Sequence, residues 1–379
     1  MSILQFRLTP RSRGEANRSS SSLELMFDLA TVVAVAAAAN GLAQDVRAGL
    51  FALGIVRFCS GFFMAWLAWV NYTWFASGYG NRSTTFRALT MIIIFGSLTL
   101  AGGMQSAFDD KPIWLPLVGF IIMRLGMIAL WLGAANGDRR IRPTALFYAT
   151  GIAAMQLYWC ALISAVSPQT IMYFGFFVLG AAGELAIPAW AERKITTNWH
   201  HDHIIDRHNL FNIIVIGECF AAIAAIIANS HTPDFRHFWL ASLCFTIAFS
   251  MWALYFDRSE QLLGRKLHTV LAWAYGHYVV FAAGAATAAG FSVYLSVDFY
   301  HSPVFAQRAT LAISVPIALY LSALWLVRDR FSRQGALRWL LLVGAALIIV
   351  SSVSSTHALE WVSGLLVLSV ITRRHLLSR

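Results

Sequence analysis

Eight side chains carry the chemistry this sequence can offer from within or beside apolar stretches: Glu24, Asp28, Asn71, Arg124, His208, Glu218, Asp257 and His277. Glu24 and Asp28 stand four apart near the start of LELMFDLATVVAVAAAANGL, so on a helix they share one face,. A carboxylate on a lipid-facing surface costs about 3 kcal/mol, so that face must look into protein. Carboxylates and imidazoles in such places can accept a proton or a cation, and an arginine can hold an anionic solute. His277 with Glu218 forms a candidate protonation switch, because histidine changes charge near neutral pH and a neighbouring carboxylate favours its charged form. A structural reading stands beside this one: buried charges are tolerated when paired, so the same residues could be ion pairs that hold helices together.

Other motifs say less. NWHHDHIIDRH brings His200, His201, Asp202, His203, Asp206 and His208 close enough to hold zinc or another divalent metal, although the spacing matches no ligand signature,. Its alternative is a solvated connection held near lipid headgroups by Arg207. Trp69, Trp74, Trp190, Trp199 and Trp252 fall near the cytoplasmic ends of apolar segments, where an aromatic belt is expected and no cofactor is needed,. No Walker loop, dinucleotide fingerprint, nucleophile elbow or H-E-x-x-H is present, so no catalytic residue is assigned and no cofactor is expected,.

The elements that must position these residues follow from composition. Of 379 residues, 58% are hydrophobic and only 12% charged, with a mean hydropathy of +0.64, which is too apolar for a soluble chain of this length,. The net charge of +10 does not point to nucleic acid, because the cations punctuate apolar runs instead of clustering,. Membrane lipids are the expected partners. Cys59, Cys160, Cys219 and Cys244 lie inside apolar segments without C-x-x-C spacing and read as packed thiols,. Residues 1–22 are polar and basic with no apolar run before a cleavage site, so no removable signal peptide is expected,.

Twelve apolar segments follow: 23–42, 46–76, 84–105, 112–135, 143–166, 168–190, 208–229, 236–257, 266–290, 304–327, 336–353 and 357–372,. If the N-terminus is cytoplasmic, 22 of the 28 Lys and Arg fall on that side and four, Arg47, Lys111, Arg236 and Arg308, on the other,. Arg57 and Arg124 are left within spans, both expected near mid-membrane. The expected fold is therefore an all-α, polytopic transmembrane bundle with both termini in the cytoplasm of a bacterial inner membrane. Its expected divisions are a basic segment 1–22, a six-helix half 23–190, a His-rich connection 191–207 and a second half 208–379. Echoes such as Ala129-Leu130-Trp131-Leu132 and Ala323-Leu324-Trp325-Leu326 suggest a parallel six-plus-six repeat,.

The segments LELMFDLATVVAVA, WLAWVNYTWFA, DRHNLFNIIVIGE and WALYFD resemble the family of bacterial low temperature requirement A membrane proteins. Residue by residue, Glu24, Phe27, Asp28, Trp69, Asn71, Tyr72, Trp74, Phe75, Arg124, Arg207, His208, Glu218, Tyr255, Asp257 and His277 match its pattern, over about the first nine spans. The sequence departs from it at Asp206, where Glu is expected, and at Asn209 and Asn212, where small or apolar residues are expected. The resemblance implies a polytopic membrane protein and a name derived from growth in the cold, but no established reaction. Three functions remain open. One is a transporter or permease of a small solute or proton through a central polar cavity lined by Asp28, Arg124, Glu218 and His277. The others are a membrane-embedded enzyme acting on a lipid through Asp28 and Asp257, and a scaffold.

Overall fold

The structure, a computed structural model, describes residues 6–12, 18–80, 83–168, 170–228, 235–257, 266–296, 303–355 and 357–377. Their regular structure is wholly helical. The first six helices are α1 (Ser22–Arg47), α2 (Phe51–Tyr79), α3 (Thr84–Phe108), α4 (Trp114–Gly137), α5 (Arg142–Ala165) and α6 (Ile171–Ala191). Then come α7 (His201–Ala228), α8 (Phe235–Tyr255), α9 (Leu267–Tyr294), α10 (Pro303–Leu324), α11 (Leu340–Ser354) and α12 (Ala358–Leu377). A π-helical turn, Trp325–Asp329, and a last turn, Arg330–Ser332, extend α10. Among the described residues ten helices, α1 to α9 and the run Val304–Ser332, are long and apolar enough to cross a membrane, and α11 is a shorter apolar helix. The chain is a polytopic helical membrane protein.

The chain divides into two units. The first comprises Met1–Ala38, Val56–Arg207 and Arg265–Leu271; the second comprises Ala39–Ile55, His208–Gly264 and Ala272–Arg379. Within the first, α3, α4, α5 and α6 pack in succession. Glycine lets α3 and α4 approach closely: a Cβ on Gly119 would lie 2.3 Å from the backbone N of Leu100, and one on Gly103 would lie 2.4 Å from Cδ of Pro116,. Within the second unit, α11 packs between α10 and α12, and α12 against α8.

Two expectations change. Helix α7 begins at His201, seven residues before the predicted start, so most of the His-rich stretch is helical and partly buried instead of a solvated connection. Arg57 lies under two turns from the start of α2, where it donates to the carbonyl of Phe108 at 2.9 Å and pairs with Asp110; it caps the end of α3, away from mid-membrane. The basic segment before α1 packs against the first unit in its described parts. Leu8 is buried, its N–H donating to Gly133 at 2.9 Å, and Arg11 donates through Nη1 to Gly80 at 2.6 Å.

Candidate functional site

The polar interior of the first unit starts at the cap of α1. Ser21 and Glu24 form a reciprocal capping box: the Ser21 N–H donates to Glu24 Oε2 at 2.6 Å, and the Glu24 N–H to Ser21 Oγ at 3.3 Å,. This leaves Glu24 Oε1 to Arg18 Nη2 at 3.3 Å and His203 Nε2 at 3.1 Å. One turn later Asp28 is gripped on both oxygens by Arg207, at 2.7 and 2.6 Å, and accepts from Trp69 Nε1 at 2.6 Å. Glu24 and Asp28 are four apart, as are His203 and Arg207, so two helical faces meet rung by rung in the same chain sense. All four are buried. Arg18 also donates to the carbonyls of Ala76 and Ser77 in the last turn of α2.

A second polar region lies among α2, α4, α5 and α6. Arg124, completely buried, bonds Glu184 through Nη2, and Trp159 Nε1 donates to the other Glu184 oxygen at 3.1 Å. Asn71, Trp74, Trp131, Tyr148, Ile152, Glu184, Ile187 and Pro188 surround a cavity beside this pair. Glu192, just after α6, is also buried, and the donors to it are all neutral. Trp74 Nε1, Tyr148 OH and Thr197 Oγ1 converge on Oε1 at 2.7, 3.0 and 2.8 Å, and the Thr197 N–H reaches Oε2 at 3.3 Å. Burial pushes its carboxyl above the usual glutamate range, against the opposing pull of those donors,.

The second unit holds two further clusters. Asp257 and Asp329 are shared by Arg328, Arg333 and Arg373. Arg373 bonds both Asp329 oxygens at 2.6 and 2.8 Å and also reaches Asp257, which Arg333 Nη2 meets at 2.8 Å. Arg328 joins Asp329 at 2.9 Å and caps α8 through the carbonyls of Tyr255 and Leu254, at 2.7 and 2.9 Å. The π turn brings Arg328 and Asp329 into this cluster,. The other cluster is aromatic. His277 is completely buried, with ring centroids 4.1 Å from Trp273, 5.2 Å from His208 and 5.5 Å from Phe281. Its Nδ1 donates to the Trp273 carbonyl at 2.9 Å; Nε2, then an acceptor, has no hydrogen-bond partner among the described residues.

Of the eight residues singled out from the sequence, the structure brings together Glu24 with Asp28, and His208 with His277. Asn71 shares its cavity with the partner of Arg124, and Asp257 belongs to the arginine cluster. Asp28 and Arg124, expected to line one cavity, are held by different partners, Arg207 and Glu184. Glu218 is half-buried, with no ion pair or side-chain hydrogen bond among the described residues. Sequence reasoning passed over Glu192, Asp329 and His203 as partners. Arg18, Arg207, Arg328, Arg333 and Arg373, which the sequence offers only as charges of the cytoplasmic connections, are each buried. Trp69 and Trp74, expected in an aromatic belt, are donors to Asp28 and Glu192. One signal was readable: the four-residue spacing of His203 and Arg207 repeats that of Glu24 and Asp28.

For a metal, the described residues offer no group of three or more His, Cys, Asp or Glu. The His200 ring nitrogens lie 3.0 and 2.7 Å from the carbonyls of Ser77 and Ser12, and His203 faces Glu24. Among known proteins, the family model described as bacterial low temperature requirement A protein (LtrA) matches residues 19–372. No curated protein and no solved structure matches the chain.

Proposed function

Because the chain belongs to the bacterial low temperature requirement A family of polytopic membrane proteins, whose name specifies no reaction, we propose from its buried groups that it is a transporter or permease of a small solute. The observation that carries this reading is the Nε2 of His277. A buried acceptor left without a hydrogen bond costs about 1–3 kcal/mol. A group that binds a proton or a solute in another state of the protein recovers that cost there. His208 beside it and Glu218 on the same helix as His208 are the remaining titratable groups of this reading. The enzyme reading is weaker, since both of its candidate bases, Asp28 and Asp257, are occupied by arginine donors. The reading includes a bacterial cytoplasmic membrane and cytoplasmic termini, supported by the uneven division of basic residues between alternate connections,.

Proteoliposomes loaded with a pH-sensitive dye and offered a panel of small ammonium compounds, amino acids, carboxylates and sugars test the proposal. A solute should drive both its own uptake and an internal pH change. His277→Gln and Glu218→Gln should lose the pH change while eluting as monodisperse protein. Absence of flux for every solute, or unchanged coupling in both variants, overturns it.

A further inference from the structure

We propose that the cavity bounded by Asn71, Trp74, Trp131, Tyr148 and Glu184 binds a single monovalent cation of potassium or ammonium size. It lies wholly in the first unit and admits one water-sized sphere, about 10 Å³, which is also the space such an ion needs,. One buried carboxylate lines it, and a second stands behind its walls. Glu184 lines the cavity and Arg124 neutralises it; Glu192 bonds two of the walls and has no cationic partner among the described residues. The buried set is therefore one positive charge short when Glu192 is ionised, and a charge left so in an apolar interior draws a counter-ion or a proton.

The walls favour the ion. Trp74 and Tyr148 both donate to Glu192 Oε1, at 2.7 and 3.0 Å, and donation to an anion pushes electron density into the donor's ring,. Ring faces attract cations, most strongly those of tryptophan. Trp131 stacks on Tyr148 at a centroid distance of 4.0 Å and an angle of 2°, adding a third ring to the enclosure. Asn71 contributes an amide with no other hydrogen-bond partner among the described residues, and Glu184 contributes carboxylate oxygen. Calcium and magnesium need about six or more oxygen ligands, which this aromatic wall does not supply. Weakly hydrated monovalent ions accept π faces in place of water. The site stands independently of transport, since it concerns binding alone.

Equilibrium binding of radioactive rubidium to the purified full-length protein in choline chloride tests it. One rubidium per chain is expected, displaced by potassium or ammonium and not by choline, and potassium should raise the melting temperature above that in choline. Glu192→Gln should weaken rubidium binding about tenfold. Should that variant not fold, Asn71→Leu, which removes the amide and keeps the bulk, should weaken it likewise. No rubidium bound above the choline background, displacement by sodium alone, or affinity unchanged in the folded variant overturns the proposal. So does a melting temperature that responds to pH and not to potassium.

Discussion

Arg207 holds both carboxylate oxygens of Asp28, at 2.7 and 2.6 Å, with neither residue exposed. A buried pair of this kind draws little net stability from attraction, because both ions have left water, but removing one partner strands the other. Arg207→Gln should therefore cost about 3–5 kcal/mol and sharply lower the yield of monodisperse protein. The double change Asp28→Asn with Arg207→Gln should recover much of that yield. Fluorescence size-exclusion profiles of the native protein, Asp28→Asn, Arg207→Gln and the double variant measure the coupling, and a double variant as poor as Arg207→Gln would remove the pair from the account.

Glu192 predicts a pH dependence with a definite sign. Its folded carboxyl binds a proton more tightly than in the unfolded chain, so in the window above the ordinary glutamate range the folded state carries more protons and stability falls as pH rises,. Below that window the carboxyl is neutral in both states and the effect vanishes. In choline buffer the melting temperature should decline with pH more steeply for the native protein than for Glu192→Gln. Parallel curves would show that Glu192 does not titrate in this way.

Neighbouring glycines on α3 separate close packing from helix propensity. Gly103→Ala places a methyl against Pro116, whereas nothing lies within 4 Å of a Cβ at Gly102. The first change should destabilise by about 1–3 kcal/mol and the second should stabilise slightly, since alanine is the better helix former. Thermal denaturation of the two variants should move in opposite directions; equal shifts would mean that α3 and α4 are not in such close contact.

Topology is open to labelling. Lys111, in the turn after α3, and Arg139, after α4, are both exposed and are expected on opposite sides of the membrane,. In a background lacking Cys59, Cys160, Cys219 and Cys244, Lys111→Cys should react with a membrane-impermeant maleimide in intact cells. Arg139→Cys should react only after lysis. The reverse pattern would invert the orientation.

The sequence by itself determined the solvent and the elements. Residues 84–105 and 112–135 have no stable place in water except as spans, and the structure places α3 and α4 within a few residues of those limits,. It also showed that Glu24 and Asp28 need a protein environment, because lipid offers carboxylates no partner. Only the tertiary structure decided which partners they have. Arg207 and Arg373 look in the sequence like cations flanking spans, and hydropathy cannot distinguish an arginine at the headgroups from one turned inward, since the side chain is long and the difference is a choice of helix face,. Glu192 was invisible for the same reason. Its donors come from α2, α5 and the segment after α6, 118, 44 and 5 residues away along the chain, and hydrogen bonds across such separations exist only once the helices have packed,.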